Sequence, residues 1–147
     1  MMTRDEQQPP VQVLLIEDNP GDVRLLQEAF RELHANIRIQ VAKDGAEGIA
    51  VVEKKASEGP NACPDLILLD LNLPKISGHD VLERIKSNPD TRRIPVIVLT
   101  SSRAEMDVHR AYDSHANAYM RKPTTLEGLI AAAEQIKNFW MECVTLP

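Results

Sequence analysis

The sequence predicts an α/β fold in which a parallel sheet is covered by helices on both faces. Three observations carry this: strand-like runs alternate with amphipathic stretches from end to end, three of the strands are nearly continuous apolar runs, and turn residues separate the units. A strand without polar alternation has both faces buried, and helices on either side of a sheet provide that. Right-handed crossovers leave few topologies for five such units, and the commonest is the flavodoxin-like, doubly wound (βα)5 order 2-1-3-4-5. Its ligand site lies at the carboxyl ends of the strands.

The first strand is Val11-Gln-Val-Leu-Leu-Ile16. Asp18-Asn-Pro-Gly21 then combines an N-cap candidate with a proline entering a helix, expected over residues 23–33. The second strand covers Ile37–Ala42, Lys43-Asp-Gly45 turns the chain, and a helix is expected over residues 46–57. Residues 58–64 form a polar loop with Gly and Pro, and Leu66-Ile-Leu-Leu69 is a strand with no polar residue. An amphipathic helix over residues 81–87 stops at Asn88-Pro-Asp90. A strand over residues 94–99, a helix over 104–114 and a short strand over 118–120 follow. From Leu126 the last helix places Leu126, Leu129, Ile130, Ala133 and Ile136 on one stripe.

Composition narrows the function classes. With 147 residues, 43% hydrophobic and 27% charged, the chain suits one globular domain with a real core, and at 3% aromatic that core must be aliphatic. A net charge of −5 speaks against a general nucleic-acid binder. Cys63 and Cys143 have no partners at metal-ligand or disulfide-framework spacing, so a reduced, cytoplasmic setting is expected. No apolar run approaches the roughly 20 residues of a membrane helix, and the polar, Pro-ended start is unlike a secretory signal. The expected organisation is a flexible segment over 1–10, a folded domain over 11–137 and a tail over 138–147.

The residues that follow the strands carry the chemistry. Glu17 and Asp18 follow the first strand, Asp70 the third, Thr100 the fourth and Lys122 the fifth. In the 2-1-3-4-5 order the first and third strands are neighbours at the switch point, so Glu17, Asp18 and Asp70 should converge. An oxygen-only cluster of this charge suits Mg²⁺, or Mn²⁺ in its place. Lys122 adds a fixed positive charge and Thr100 a hydroxyl. Phosphoryl transfer depends on positioning and charge neutralisation, so these parts suffice around a carboxylate acceptor, and Asp70 is central. A single acid after a strand is ordinarily only an N-cap and a single lysine a solvated group, but five such residues at successive strand ends are not explained that way.

These residues resemble the response-regulator receiver domain of two-component signalling over roughly residues 11–136. The motifs are the acidic pair Glu17-Asp18, the acceptor in Leu68-Leu-Asp-Leu-Asn-Leu-Pro74 with Gly78 downstream, Thr100 after Val96-Ile-Val-Leu99, and Tyr119-Met-Arg-Lys-Pro123. The resemblance implies that Asp70 accepts phosphate from a phosphohistidine of a sensor histidine kinase, and that Glu17 and Asp18 hold Mg²⁺ with the backbone carbonyl of Asn72. It further implies Lys122 as the family lysine, Thr100 and Tyr119 as the switch pair, and a cis peptide at Lys122-Pro123. Asn72 and Ser102 occupy the positions that tune access of hydrolytic water. The first acid is Glu17 where many members have Asp, and its extra methylene favours an outer-shell contact.

His34, His79, His109 and His115 lie in or beside helices, away from the strand-end rim, and suit surface or structural roles. Asn19-Pro-Gly-Asp-Val-Arg24, the long loop before the third strand and the ending from Phe139-Trp140 to Thr145-Leu-Pro147 are similar to single-domain regulators paired with bacterial phytochromes. That implies a light-sensing kinase as partner and a homodimer to which the tail contributes. Phe139 and Trp140, with Met141 and Leu146, form an apolar cluster past the point where such a fold is complete, so Phe139 and Trp140 are candidate interface anchors, unless the tail folds back. With no output domain after the receiver, signalling by protein contact or a role as phosphate sink is expected, with no catalysis beyond its own phosphotransfer and dephosphorylation. The competing class, an aspartyl-nucleophile phosphatase of haloacid-dehalogenase type, wants a second Asp two residues after the nucleophile, where this chain has Asn72.

Overall fold

The computed structural model describes residues 9–34, 36–101 and 104–143, with the backbone alone at 141–143. Five parallel strands, β1 (Val11–Ile16), β2 (Ile37–Ala42), β3 (Leu66–Leu69), β4 (Val96–Thr100) and β5 (Ala118–Arg121), form one sheet in the order β2-β1-β3-β4-β5. Ile16 of β1 lies level with Ala42 of β2 and with Leu69 of β3, so the carboxyl ends of the neighbouring strands end on one rim. The expected doubly wound, flavodoxin-like fold is present.

Period-two alternation along the central strands divides the core. Leu14, Ile16, Ile67, Leu69, Val96 and Val98 point to the face covered by α2 (Gly45–Ser57), α3 (Gly78–Ser87) and α4 (Glu105–Asp113), meeting Ile49, Val52, Val81, Leu82, Ile85 and Ala111. Val13, Leu15, Leu66, Leu68, Ile97 and Leu99 point the other way onto α1 (Pro20–Glu32) and α5 (Leu126–Ile136), where Leu26, Ala29, Phe30, Leu129, Ala133 and Ile136 cover them. Because each helix adds only an apolar stripe, the two-sided strands form the most deeply buried part of the chain.

Side-chain caps set where the helices begin. The Asn19 side chain accepts from the Asp22 N–H at 3.1 Å, so α1 starts at Pro20, before the residue 23 expected from its apolar stripe. Ser77 likewise caps α3 through the Asp80 N–H at 3.2 Å, which moves that start to Gly78. Pro95 has no N–H for the ladder, so β4 begins at Val96; the Pro95 carbonyl still accepts from Ile67 N at 2.9 Å. The loop over residues 58–64 contains a short 3₁₀ turn, Pro60–Ala62.

At the amino end of β4, Lys86 binds three loop oxygens. Its Nζ donates to Arg92 O (2.9 Å), Ile94 O (2.7 Å) and Asn117 Oδ1 (3.0 Å), and the same Asn117 oxygen accepts from Val96 N. Burial pushes the Lys86 ammonium down to about 8, while all three acceptors favour its charged form.

One expectation is corrected. No peptide bond among the described residues is cis, so Lys122-Pro123 is trans, the form an X–Pro bond prefers by about 0.5–1 kcal/mol. Past Ile136 the chain continues as a π-type turn over Lys137–Cys143, in which Trp140 is half-buried against the face covered by α1 and α5. Phe139 is 57% exposed and meets Trp140 edge-on, ring centroids 5.5 Å apart. Successive residues on a helical path point in different directions, which is why one ring turns inward and the other out. Trp140 thus follows the fold-back alternative and Phe139 does not. The side chains of Met141 and Cys143, the residues 144–147 with Leu146, and most of the segment 1–10 lie outside what the structure describes.

Candidate functional site

The rim formed by the strand ends holds a cleft of about 460 Å³ lined by Glu17, Asp18, Asn19, Pro20, Asp22, Asp70, Asn72, Ser101 and Lys122. Its residues come from four connections of the sheet. Glu17 and Asp18 leave β1, Asp70 leaves β3, Ser101 leaves β4 and Lys122 leaves β5. The backbone fixes them closely: Glu17 N donates to Ala42 O, Asp70 N to Ile16 O, and Lys122 N to Thr100 O.

Oxygen atoms of Glu17, Asp18 and Asp70 come within 4.8 Å of one another. Glu17 and Asp70 are buried and Asp18 is exposed, so the group opens to solvent on one side only. Both Glu17 oxygens are engaged: Oε1 accepts from Asn19 N at 3.1 Å and Oε2 from Lys122 Nζ at 2.7 Å. Burial pushes Glu17 up to about 7 against the pull of Lys122, and the charge of Asp70 adds to the rise. Such a set of hard oxygen donors, with no His or Cys among them, fits a small divalent cation, whose charge would relieve this crowding.

Lys122 is the counter-charge. Its Nζ lies 2.7 Å from Glu17, 2.8 Å from Asp22 Oδ2 and 3.6 Å from Asp70 Oδ2. Burial pulls the lysine down, but the hydrogen bonds to Asp22 and Glu17 outweigh it and hold the ammonium charged, above its ordinary value. Asn72 N donates to Asp70 Oδ1 at 3.3 Å, which sets its backbone beside the Asp70 carboxylate.

Thr100 is fully buried, with Asn72 Nδ2 3.5 Å from its hydroxyl, while Ser101 takes the place on the cleft wall. Tyr119 is half-buried against the face that carries α2, α3 and α4, and its N–H donates to the Tyr112 hydroxyl at 3.2 Å. Ser102 lies outside the described residues.

Sequence reasoning assigned no role to Asp22 or to the close approach of Gly78. Asp22 stands in the first turn of α1 and reaches Lys122 across 100 residues of sequence, and its only advance signal was its place in the turn after the acidic pair. At Gly78 a Cβ would lie 2.2 Å from the Asp70 carbonyl oxygen, so only a glycine lets α3 approach the end of β3 this closely. His79 is buried and its Nε2 meets Asp107 Oδ1 at 2.9 Å, joining α3 to α4 in a structural role. His109 faces Glu105 on the surface of α4. His34 and His115 take left-handed backbone conformations just past α1 and α4.

Comparison with known proteins agrees with this geometry. The response regulator receiver domain model matches residues 13–134. The response regulator Rcp1 of Synechocystis sp. is 43% identical over 143 residues, covering 97% of each chain. Among solved structures, the phosphorylated cyanobacterial phytochrome response regulator RcpA superposes with a TM-score of 0.86 at 40% identity, covering 94% of this chain and 99% of that one. The Mn²⁺-bound form of Rcp1 superposes with a TM-score of 0.84 at 43% identity and the same coverage. With the carboxylates, the hydroxyl and the lysine at the ends of β1, β3, β4 and β5, and a family match over most of its length, the chain belongs to the response regulator receiver domain family.

Proposed function

We propose that this receiver takes a phosphoryl group from the phosphohistidine of a sensor histidine kinase onto Asp70. The observation that carries the reading is the convergence of Glu17, Asp18 and Asp70 beside a lysine held 3.6 Å from the Asp70 carboxylate. An Asp70 oxygen attacks phosphorus in line as the P–N bond to histidine breaks, and the imidazole leaves with that electron pair. Lys122 offsets charge on the phosphoryl oxygens. Mg²⁺ or Mn²⁺ held by Glu17, Asp18, Asp70 and the Asn72 carbonyl supplies the remaining neutralisation that lets an anionic donor approach an anionic acceptor.

The switch follows from charge. A phosphoryl group adds about −1.5 to −2 at the rim, and the Thr100 hydroxyl moves to donate to it, leaving space that Tyr119 fills. The signal then appears on the face of α4, β5 and α5 and is read by protein contact. The relatives named for phytochrome response regulators support a light-sensing phytochrome kinase as the donor, in the cytoplasm. Residues 11–137 form the receiver, and the tail from 138 onward carries a homodimer contact in which exposed Phe139 is the anchor and Trp140 backs it. Asn72 in place of a second acid disfavours the phosphatase reading.

Incubation with acetyl phosphate and Mg²⁺ followed by intact-mass measurement tests the chemistry. One phosphoryl group is expected, lost in Asp70→Asn and in excess EDTA; an undiminished label in either case overturns the reading. Amide exchange tests the switch, with changes expected in α4 and β5, and changes confined to residues 58–64 would refute it.

A further inference from the structure

We propose that Asp22 is the positioning residue of Lys122, giving its ammonium a seat outside the three-carboxylate group so that the lysine and a divalent cation occupy the site together. The inference rests on the phosphoacceptor reading above and deepens it.

An ammonium has three N–H groups, and Lys122 directs two of them in short hydrogen bonds to Glu17 (2.7 Å) and Asp22 (2.8 Å). Asp70 is reached at 3.6 Å, an ion pair without hydrogen-bond contact. Glu17 and Asp70 also belong to the group whose oxygens converge within 4.8 Å, and Asp22 does not. A cation held by that group would compete for carboxylates that Lys122 also contacts and would repel the ammonium. With Glu17 and Asp70 as its only partners, the lysine would have to be displaced for the cation to enter. Asp22 would remove that conflict, because its carboxylate lies outside the group and would remain a partner of Lys122 with Glu17 and Asp70 holding a cation.

The local backbone holds Asp22 ready for this. Its own N–H donates to the Asn19 cap, and the Asn19 N–H donates to Glu17 Oε1, so the start of α1 links both anions that clasp the lysine. The Asp22 side chain is 28% exposed, against 2% for Glu17, and so meets the ammonium from the solvent side of the cleft.

The experiment is Mn²⁺ titration by calorimetry on the full chain in four forms: wild type, Asp22→Asn, Lys122→Gln and the double variant. Asp22→Asn is expected to weaken Mn²⁺ binding about tenfold with Lys122 present and about twofold or less in the Lys122→Gln background, because the loss acts through the lysine. The same factor in both backgrounds would mean a plain loss of negative charge and would overturn the proposal. A metal-free readout accompanies it: the Lys122 ¹⁵N–¹H ammonium resonance, identified by its loss in Lys122→Gln, should be protected from exchange in wild type and broadened in Asp22→Asn, whose remaining spectrum reports that it is folded. An unchanged resonance also refutes the role. Absence of Mn²⁺ binding in every form overturns the metal reading and the shared occupancy with it, whereas intact binding with equal factors overturns Asp22 alone.

Discussion

Replacing Gly78 by alanine tests how rigidly Asp70, the proposed acceptor, is held. The added Cβ would stand 2.2 Å from Asp70 O, 2.4 Å from Leu71 Cα and 3.0 Å from Asp70 C, and all three are backbone atoms. No rotamer change relieves such a contact, so either α3 lifts from the sheet or the end of β3 carrying Asp70 moves. Helix propensity works the other way, favouring alanine by up to about 1 kcal/mol in a helix interior, and less at the first residue of α3. Overpacking a close-fitting site costs about 1–3 kcal/mol, occasionally more, and here the 3.0 Å hydrogen bond from Gly78 N to Leu71 O is strained as well. The clash wins, with a net loss of about 2–3 kcal/mol, or a fall of about 1–1.5 M in the urea midpoint for a slope near 2 kcal/mol/M.

The site should register the same displacement. A shift on the order of 1 Å at Asp70 relative to Lys122 is expected to slow labelling by acetyl phosphate at least about tenfold. Gly21→Ala is the control, because its Cβ would meet only a side-chain atom, the capping Asn19 Oδ1 at 3.2 Å, and its loss of stability should stay at or below about 1 kcal/mol, the cost of disturbing that cap. Urea titrations and labelling rates of both variants, measured together, decide the matter. Equal stability and equal rates for Gly78→Ala and Gly21→Ala would refute the claim that this contact positions the acceptor.

Glu17 sets a pH dependence in metal-free protein: its value is raised in the folded state from 4.5 to about 7, chiefly by burial, so its contribution is full below pH 4.5 and is lost as pH rises through 7. Urea midpoints across pH 4.5–7 should show this decline, and Glu17→Gln should flatten it; an unchanged slope in the variant counts against the assignment. Lys86→Met removes a donor to three oxygens and is expected to cost about 2 kcal/mol and to speed amide exchange at Val96, which shares the Asn117 acceptor. Phe139→Ala should weaken a homodimer about thirtyfold in sedimentation without lowering the monomer's thermal midpoint, since the ring is exposed; a dimer of unchanged strength removes Phe139 from the interface.

Legibility in the sequence followed the kind of interaction involved. Strands β1 and β3 coincide with their expected spans because a strand buried on both faces is written as a run of apolar residues, and that run is also its physical cause. Strand β2 coincides too, but as an edge strand whose Ile37-Arg-Ile-Gln-Val41 alternates half-buried and exposed positions. The starts of α1 and α3 were displaced because Asn19 and Ser77, rather than the apolar stripe, determine them. In the site, reading the residue after each strand found Glu17, Asp18, Asp70, Thr100 and Lys122, since parallel strands bring their carboxyl ends to one rim whatever the loops do. Asp22 escaped that rule because it reaches the rim from a helix. The inward turn of Trp140 and the burial of Thr100 are consequences of packing, which no local pattern encodes.

The same packing explains which part of the molecule is free to respond. Helix α3 buries Gly78, His79, Val81, Leu82 and Ile85, whereas Ala111 is the buried residue of α4. What ties α4 to α3 is largely polar: His79 to Asp107 at 2.9 Å, and Arg110 to Asp80 at 3.4 Å across a solvent-exposed gap. An exposed ion pair of that kind contributes at most about 1 kcal/mol. An element with few apolar contacts sits at the low end of local stability, so a small change in free energy can move it while the sheet beneath stays in place. Thr100 ends β4, the strand that precedes α4 in the chain, so under the proposed reading a hydroxyl drawn toward new charge on Asp70 acts at the end of the strand that precedes the least anchored helix. The division of labour under the proposed reading is therefore physical: backbone hydrogen bonds along the strand ends hold the reacting groups, and the sparse core under α4 makes that helix the part of the surface that moves.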